Sequence, residues 1–352
     1  MFRRLGYLVL VPVALGCGGH VDFAPEEDGA PPPPRAAPRP APASPPPNDG
    51  EKTTFLSRQG RPLGLALDAT SVYWADAAQG MLLKIAKQGG AVLPVATGQA
   101  DPSGVAVGEG AICWTNTGDG TVRKAPIVGG AVVTLASAQA SPRSVAIAGG
   151  SAYFTTDQWL VRVPLAGGPA VSLRATNGDL PLGQGGVQGI TSDGVLVYAA
   201  PYQVLWPVDD DCDKPSFAGL CSADWYAGPV MRGGAVDGKS VFTAWGNYWA
   251  AGTGDGSISA SDSAGMGWLA SDQAGPEAIA VDETHVYWVN AGTSASGSAD
   301  GTVMKVPRSG GPASAIAVNQ PHPVAIAVDE SFVFWTNEGS DDVNGSVMRT
   351  PK

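Results

Sequence analysis

The sequence has few of the residues that carry most enzyme chemistry. Its 352 residues include three histidines, at positions 20, 285 and 322, and four cysteines, at positions 17, 113, 212 and 221. Neither residue type recurs at a spacing typical of metal ligands, and no Ser-His-Asp grouping or phosphate-binding glycine loop is present. The sequence therefore predicts no metal, no cofactor and no catalytic residue.

Basic residues and helical periodicity are also scarce. Residues 51–352 contain 27 acidic and 17 basic side chains, and a domain this acidic does not bind nucleic acid or anionic lipid through its electrostatics. No apolar stripe with the 3.6-residue period of a helix continues beyond about two turns. We therefore expect an all-β domain in this range, without a nucleic-acid partner.

An apolar run near the N-terminus, Leu5–Leu15, follows Arg3 and Arg4. It is too short to span a bilayer and is typical of a secretory signal. The phrase Ala14-Leu15-Gly16-Cys17 resembles the bacterial lipobox. The resemblance implies a signal peptide over residues 1–16, palmitate or a similar acyl group on Cys17, and an outer-membrane lipoprotein facing the periplasm or the cell surface. The alternative is an ordinary signal peptide that contains a cysteine.

A proline-rich segment follows, and we group residues 17–50 as a lipid anchor with a disordered stalk. Its stretch PPPPRAAPRPAPASPPP has almost no side chains that could form a core. A polyproline II coil over Pro25–Pro47 extends to about 70 Å. The segment is therefore expected to separate a domain from the lipid surface, and a ligand for proline-binding modules is the alternative.

The rest of the chain, residues 51–352, repeats one phrase. Ala278–Gly292 reads AIAVDETHVYWVNAG, and Ala325–Gly339 reads AIAVDESFVFWTNEG. Two adjacent bulky residues mark each copy, at spacings of 40, 40, 44, 44, 46 and 47 residues. The pairs are Tyr73-Trp74, Cys113-Trp114, Tyr153-Phe154, Val197-Tyr198, Val241-Phe242, Tyr287-Trp288 and Phe334-Trp335. This period, with only strand signals, predicts a β-propeller of four-stranded antiparallel blades.

The number of blades follows from how the ring closes. The seventh copy stops after its third strand, in Gly345–Lys352, while an unassigned strand, Thr53–Ser57, precedes the first copy. An unpaired sheet edge promotes aggregation, so pairing of these two segments is favoured. The sequence therefore predicts a seven-bladed propeller that is closed by its N-terminal strand.

Turn residues support this division. Asp68, Asp193, Asp237, Asp282 and Asp329 each end a predicted innermost strand, where an aspartate fixes a turn through backbone N–H groups. A ring of calcium ligands is the alternative. Gly-Gly pairs follow four of the third strands, and Asp-Gly pairs at 119, 255 and 300 predict two-residue hairpins before three of them.

The fourth and fifth copies carry insertions, which include Asp209–Gly228. In an exported protein Cys212 and Cys221 are expected to form a disulfide, with a metal site as the alternative. The acidic run at 209–213 is expected to be a solvated loop, with weak calcium binding as the alternative. Cys113 is expected to be a buried, unreactive thiol.

The strand phrases also resemble a known family. Val72-Tyr73-Trp74-Ala75-Asp76 and Val333-Phe334-Trp335-Thr336-Asn337 resemble the Tyr-Trp-Thr-Asp repeat of low-density-lipoprotein-receptor propellers. The Gly-Gly and basic-apolar-Pro pattern resembles bacterial surface lipoproteins with such propellers. Those receptor propellers have six blades and bind proteins, so the resemblance implies a binding module without catalytic residues.

We therefore predict a lipid-anchored module that recognises an envelope protein or glycan. Aromatic residues of the inserted copies are the contact candidates, and filling of gaps between blades is their alternative role: Trp206, Trp225, Tyr226, Trp245, Tyr248 and Trp249. His322, between two prolines at the start of an innermost strand, is a further candidate, whereas His285 matches Phe332 and is expected to pack. The alternative function is a hydrolase or lyase with its site on the propeller face or in the central channel.

Overall fold

The repeated phrases fold into seven antiparallel sheets. A computed structural model describes residues 53–157, 159–173, 190–192, 196–199, 204–207, 230–237, 240–246, 256–262, 265–292 and 299–352. All regular elements in these ranges are β-strands. Within the same ranges no helix is long and apolar enough to cross a membrane.

The first three blades each have four strands. Their bounds are β2 (Pro62–Leu67), β3 (Ser71–Asp76), β4 (Met81–Ala86), β5 (Leu93–Ala96), β6 (Pro102–Gly108), β7 (Ala111–Asn116), β8 (Thr121–Pro126), β9 (Val133–Ala136), β10 (Val145–Ala148), β11 (Ser151–Thr155), β12 (Leu160–Pro164) and β13 (Val171–Leu173). In each of these blades the first strand in the chain lies next to the channel, and the following strands lie successively further out.

The remaining blades follow the same order. Their strands are β14 (Ile190–Ser192), β15 (Leu196–Ala199), β16 (Val204–Pro207), β17 (Val230–Val236), β18 (Val241–Gly246), β19 (Gly256–Asp262), β20 (Gly265–Gln273), β21 (Pro276–Val281), β22 (His285–Asn290), β23 (Gly301–Pro307), β24 (Ser314–Gln320), β25 (Pro323–Val328), β26 (Phe332–Asn337) and β27 (Gly345–Pro351). Blade 4 shows three strands in the described part of the chain, and the insertion 209–228 lies outside it.

The ring closes as predicted. The innermost strands contact one another in chain order, and β25 of the last blade contacts β2 of the first. The N-terminal strand β1 (Thr53–Gln59) pairs antiparallel with β27 as the outer strand of blade 7, with Thr53 opposite Arg349 and Ser57 opposite Ser346. The protein is therefore a seven-bladed β-propeller, and both ends of its repeat region lie in one sheet.

The paired bulky residues build the core between the blades. Successive side chains of a strand point to opposite faces of its sheet, so each pair contacts both neighbouring blades. Tyr73 packs in the layer between blades 1 and 2 with Trp114. Trp74 packs in the layer between blades 7 and 1 with Phe334. The period of bulky pairs is therefore the period of the inter-blade layers.

Cys113 occupies one of these layers, packed with Phe154. Its side chain is fully buried, and burial raises the pKa of its thiol to about 12. Because only the thiolate is strongly nucleophilic, the thiol is unreactive in the folded protein. The expected burial of this residue is confirmed.

Turn chemistry follows the sequence with one correction. Asp68 Oδ1 accepts hydrogen bonds from the backbone N–H groups of Thr70 and Ser71, both at 2.7 Å, as the turn interpretation requires. Both glycines of each Gly-Gly pair have positive φ. None of the three Asp-Gly pairs, however, forms a two-residue hairpin. Asn116 is opposite Thr121, so the loop at 119 has four residues. Trp245 is opposite Ser257 and Asn290 is opposite Thr302, so the other two loops have eleven residues each.

Candidate functional site

The innermost strands surround a central channel with a cavity of about 600 Å³. We call the end where these strands begin the mouth, and the end where they finish the base. Blades 1, 2, 3, 5, 6 and 7 contribute described residues to its wall. Loops at the end of a rigid scaffold are common binding sites, so the side chains at the mouth are the first candidates.

A four-residue frame, Gln-x-x-Pro, precedes the innermost strand in five blades. It occurs at Gln59–Pro62, Gln99–Pro102, Gln139–Pro142, Gln273–Pro276 and Gln320–Pro323. In each copy the glutamine Nε2 donates to the carbonyl oxygen two residues earlier, at 2.7–3.0 Å. The residue before the glutamine has positive φ in every copy. The backbone around the glutamine is therefore nearly the same in these five blades.

The glutamine also joins neighbouring blades. Gln320 Oε1 accepts hydrogen bonds from Trp335 Nε1 at 3.0 Å and Asn337 Nδ2 at 3.1 Å, both in the next blade. Gln99 and Gln273 form the same pair of bonds, again with residues 15 and 17 positions later. We call this arrangement the glutamine clasp. It fixes the loop at the mouth to the following blade.

The residue after the proline is placed by a β-bulge. In blades 1, 2, 6 and 7 the register shifts directly after the proline of the frame, and in blade 5 it shifts after Met231. A bulge leaves one residue unpaired and redirects its side chain. The redirected residues and their blade 3 counterpart line the channel: Leu63, Ser103, Arg143, Arg232, Glu277 and Val324.

The mouth thus combines a constant frame with variable side chains. The position before the proline holds Arg61, Asp101, Ser141, Gly275 and His322. At that position Asp101, Ser141 and His322 share a positive φ of 49–56°. The conformation of His322 is therefore a property of the fold and is not particular to this residue.

Four charged pairs surround the mouth. Arg61 Nη2 lies 2.9 Å from Asp101 Oδ1, and Arg143 Nη2 lies 3.8 Å from Asp157 Oδ1. Arg232 Nη1 lies 3.5 Å from Glu277 Oε1. The fourth pair is His322 with Glu338, at 2.8 Å between Nδ1 and Oε2. All eight side chains are between 27% and 49% exposed, so a ligand can reach them and exchange partners with them.

The fold brings the last pair together. The backbone N–H of Glu338, just after β26, donates to the carbonyl oxygen of His322 at 2.9 Å, which places their side chains next to each other. The hydrogen bond to Glu338 raises the pKa of His322, although burial acts in the opposite direction. The same bond lowers the pKa of Glu338. Burial raises the pKa of Glu277, while Arg232 and His322 oppose that change.

The predicted contact residues have different outcomes. Trp245 is only 6% exposed, and its Nε1 donates to Ser259 Oγ at 2.9 Å. This burial agrees with its alternative role as a packing residue. Trp206 lies in β16, of which only the backbone is described. The other predicted contacts and covalent sites lie outside the described residues: Cys17, Cys212, Cys221, Trp225, Tyr226, Tyr248 and Trp249.

The two described histidines lie at opposite ends of the channel. His322 is at the mouth, where its position before an innermost strand predicted it. His285 begins β22 at the base, where its ring lies 5.9 Å from the Tyr287 ring and its Nδ1 is 2.9 Å from Thr284 Oγ1. Its contacts are those of a packing residue, in agreement with its equivalence to Phe332.

Sequence reasoning missed most of the mouth. Arg61, Arg143, Arg232, Glu277 and Glu338 were not candidates, although the recurring Gln-x-x-Pro frame marks their neighbourhood. An exposed aromatic residue, Trp268 in β20, was also missed. It is 56% exposed and contacts the Trp245 ring edge-on at 6.2 Å.

No protein-family model matches the chain, and no curated protein matches it in sequence. Solved structures do match. The chain is similar to a virginiamycin B lyase from Staphylococcus aureus, with a TM-score of 0.60 and 13% identity over 83% of this chain and 97% of that chain. It is similar to a streptogramin B lyase, with a TM-score of 0.56 and 15% identity over 84% and 95%.

The chain is equally similar to a propeller of another kind. The WD40 β-propeller domain of Doa1 matches with a TM-score of 0.60 and 15% identity, over 86% of this chain and 97% of that chain. At these identities the similarity shows the β-propeller fold alone, because one fold carries many unrelated functions.

Proposed function

We propose that this protein is a recognition module whose ligand site is the mouth of the central channel. One observation carries the proposal: the Gln-x-x-Pro frame recurs in five blades around the mouth, while the residues directly before and after its proline differ in each of these copies. A constant frame with variable, partly exposed charged residues suits recognition of one particular ligand.

Charge reversal at the mouth tests this proposal. Arg143 and Asp157 are each 49% exposed, so R143E and D157K are expected to leave stability nearly unchanged. The bound envelope components would be captured by the full chain, crosslinked and compared between variants by mass spectrometry. We expect a component that both variants lose.

E283K and E330K are the matched controls. Both glutamates are exposed and lie in turns at the base. Each control changes the net charge by +2, as D157K does, but away from the mouth, and we expect both controls to retain the captured component. If the base variants lose it and the mouth variants keep it, the site is not at the mouth.

A second function, a hydrolase or lyase, is favoured by the His322–Glu338 hydrogen bond. A carboxylate that holds one imidazole nitrogen leaves the other nitrogen available for proton transfer. Two structural neighbours are lyases of virginiamycin B or streptogramin B. Turnover of such an antibiotic by the purified chain, abolished in H322Q and retained in H285Q, is the result that would replace recognition by catalysis.

Attachment to the bacterial outer membrane through Cys17 is part of the same proposal. The support is the apolar run after Arg3 and Arg4 and the lipobox-like phrase Ala14–Cys17. C17A is expected to move the protein from the membrane fraction of cells to the soluble envelope fraction. If the distribution of the variant equals that of the wild type, the protein is not anchored by this residue.

A further inference from the structure

A second, smaller cavity lies beside the mouth in blade 7, with a volume of about 210 Å³. Its wall consists of Arg61, His322, Glu338, Gly339, Ser340, Asp341 and Asp342. We call it the blade 7 pocket. The His322–Glu338 ion pair forms part of the wall, so a ligand in this pocket meets groups that also belong to the mouth.

The charges of the wall favour a cation. The wall contains three carboxylates, those of Glu338, Asp341 and Asp342, and two basic groups, Arg61 and His322. Arg61 is already paired with Asp101 at 2.9 Å, which lies outside the pocket. His322 is the only basic group of the wall whose charge changes near neutral pH. When it is neutral, the Glu338 carboxylate has lost its cationic partner.

The loop that carries the aspartates has a defined shape. Asn344 Oδ1 accepts the backbone N–H of Ser340 at 2.9 Å, and Asn344 Nδ2 donates to Asp341 Oδ2 at 3.1 Å. Asp341 Oδ1 accepts the backbone N–H of Val343 at 3.0 Å. The wall opposite His322 is therefore formed before a ligand arrives, which reduces the entropy that binding must overcome.

We propose that the blade 7 pocket binds the guanidinium group of an arginine side chain presented by a partner protein, in exchange for the proton of His322. This inference rests on the proposed recognition function and names the chemistry of the ligand. A guanidinium donates from a planar fork that matches a carboxylate such as Glu338. As it binds, His322 releases one proton to solvent and Glu338 changes its partner from the imidazole to the guanidinium. The chain's net charge of −11 favours the approach of such a partner.

The exchange makes binding depend on pH in one direction. The charged groups around His322 are Glu338 after β26, Asp341 and Asp342 in the next loop, Arg61 before β2, and Glu277 of β21, which is paired with Arg232. The hydrogen bond to Glu338 raises the pKa of His322. Protonated His322 competes with the guanidinium, so affinity is expected to increase with pH, by at most about tenfold per pH unit.

Titration of the full chain with Nα-acetyl-arginine amide, followed by ligand-observed NMR at several pH values from 6 to 8.5, tests the proposal. Nα-acetyl-citrulline amide is the matched ligand control, because it has nearly the same shape and no charge. We expect saturable binding of the arginine compound alone, with tighter binding at higher pH. We expect E338Q to weaken this binding at least tenfold.

Two histidine variants isolate the proton exchange. H322Q keeps a hydrogen-bond donor near Glu338 but cannot titrate, so its affinity should not change with pH. H285Q, at the base, should retain the wild-type pH profile. A wild-type profile in H322Q, equal binding of citrulline, or absence of arginine binding would each overturn the inference. If the arginine compound does not bind while R143E and D157K still lose their envelope component, the guanidinium chemistry fails and the recognition function stands.

Discussion

In three of the five frames, a single glutamine satisfies two buried donors of the next blade. Gln320 is 4% exposed, and its Oε1 is the acceptor for both Trp335 and Asn337. Removal of a shared acceptor leaves two N–H groups without partners in a site that water does not reach. Each such group costs about 1–3 kcal/mol. This residue should therefore contribute more to stability than its size suggests.

We predict that Q320A lowers the free energy of unfolding by about 2–4 kcal/mol, measured by urea denaturation. Q59A is the matched control, because Gln59 occupies the same position of its frame while Trp74 Nε1 has no hydrogen-bond partner. Its loss should be less than half as large. Equal losses in the two variants would mean that the clasp contributes little and that the aliphatic part of the side chain dominates.

Asp76 explains why the clasp is absent in blade 1. It stands where the clasps have asparagine, and Met81 stands where they have Thr121, Thr302 or Ser346. Asp76 is fully buried, and its Oδ1 accepts the backbone N–H groups of Arg61 and Gln79. Its Oδ2 has no partner and, as a carboxylate oxygen, cannot donate to Gln59.

We predict that D76N increases the free energy of unfolding by about 1 kcal/mol. The amide oxygen retains the two backbone bonds, and the new Nδ2 supplies a donor in place of an unpaired carboxylate oxygen. Thermal and urea denaturation at pH 7 measure the change. A decrease in stability would show instead that the negative charge of Asp76 is stabilised by the neighbouring Arg61.

At the scale of strands and turns, aspartates that end the innermost strands also connect the blades at the base. Asp282 Oδ2 lies 2.6 Å from Lys352 Nζ of the next blade, and Asp329 Oδ2 lies 2.8 Å from Lys87 Nζ of blade 1. Asp237 pairs with Arg308 in the same way. Blades 2 and 3 have Gly108 and Gly149 at the aspartate position. The ion pairs therefore join blades 5, 6, 7 and 1, around the seam of the ring.

The pair at Asp282 makes stability depend on pH. Burial alone would raise the pKa of Asp282. The hydrogen bonds from Lys352 and from the N–H groups of His285 and Thr284 together outweigh burial, so the pKa is lowered. A lowered pKa in the folded state stabilises the protein above the ordinary value of 3.8, and this stabilisation is lost as the pH falls below that value. The contribution is therefore fully present at pH 7.

We predict that K352M lowers the free energy of unfolding at pH 7 by about 0.5–1.5 kcal/mol, because both side chains remain partly exposed. The difference between variant and wild type should decrease steadily as the pH falls below 3.8. Melting of both proteins between pH 7 and pH 2.5 measures it. K87M, which breaks the pair with Asp329, should behave alike. A difference that is constant with pH would assign the effect to packing.

The sequence predicted strands better than it predicted the mouth, for a physical reason. Strand bounds follow from local signals: the predicted strand Thr53–Ser57 ends two residues before β1 does, and the predicted Gly345–Lys352 exceeds β27 by one residue. The mouth depends on contacts between copies. Gln99 bonds to Trp114 of the following blade, and Arg61 before the first strand of blade 1 meets Asp101 before the first strand of blade 2. The spacing of 15 residues between Gln99 and Trp114 predicts a contact only once the arrangement of the blades is known.

At the scale of the whole molecule, the ring depends on one non-local pairing. The hydrogen bonds of β1 with β27 join segments almost 300 residues apart, whereas the other described strand pairs join neighbours along the chain. Phe55 of β1 packs on Phe334 at 6.1 Å between ring centroids, and the Arg349 guanidinium lies 4.5 Å from the Phe55 ring centroid. The seam therefore has a core contact as well as backbone bonds.

We predict that deletion of residues 53–59 lowers the free energy of unfolding by at least about 3 kcal/mol, since it exposes the edge of β27 and the Phe334 ring. Deletion of residues 18–50, which keeps β1, is the control and should melt like the intact chain. Urea denaturation and limited proteolysis compare the three proteins. In the protein that lacks residues 53–59, protease is expected to cleave blade 7 first, because an open ring unfolds locally at its unpaired edge. If the protein without β1 unfolds at the same urea concentration as the control, pairing of β1 with β27 does not stabilise the propeller. The geometry of the mouth would then not depend on closure by the N-terminal strand.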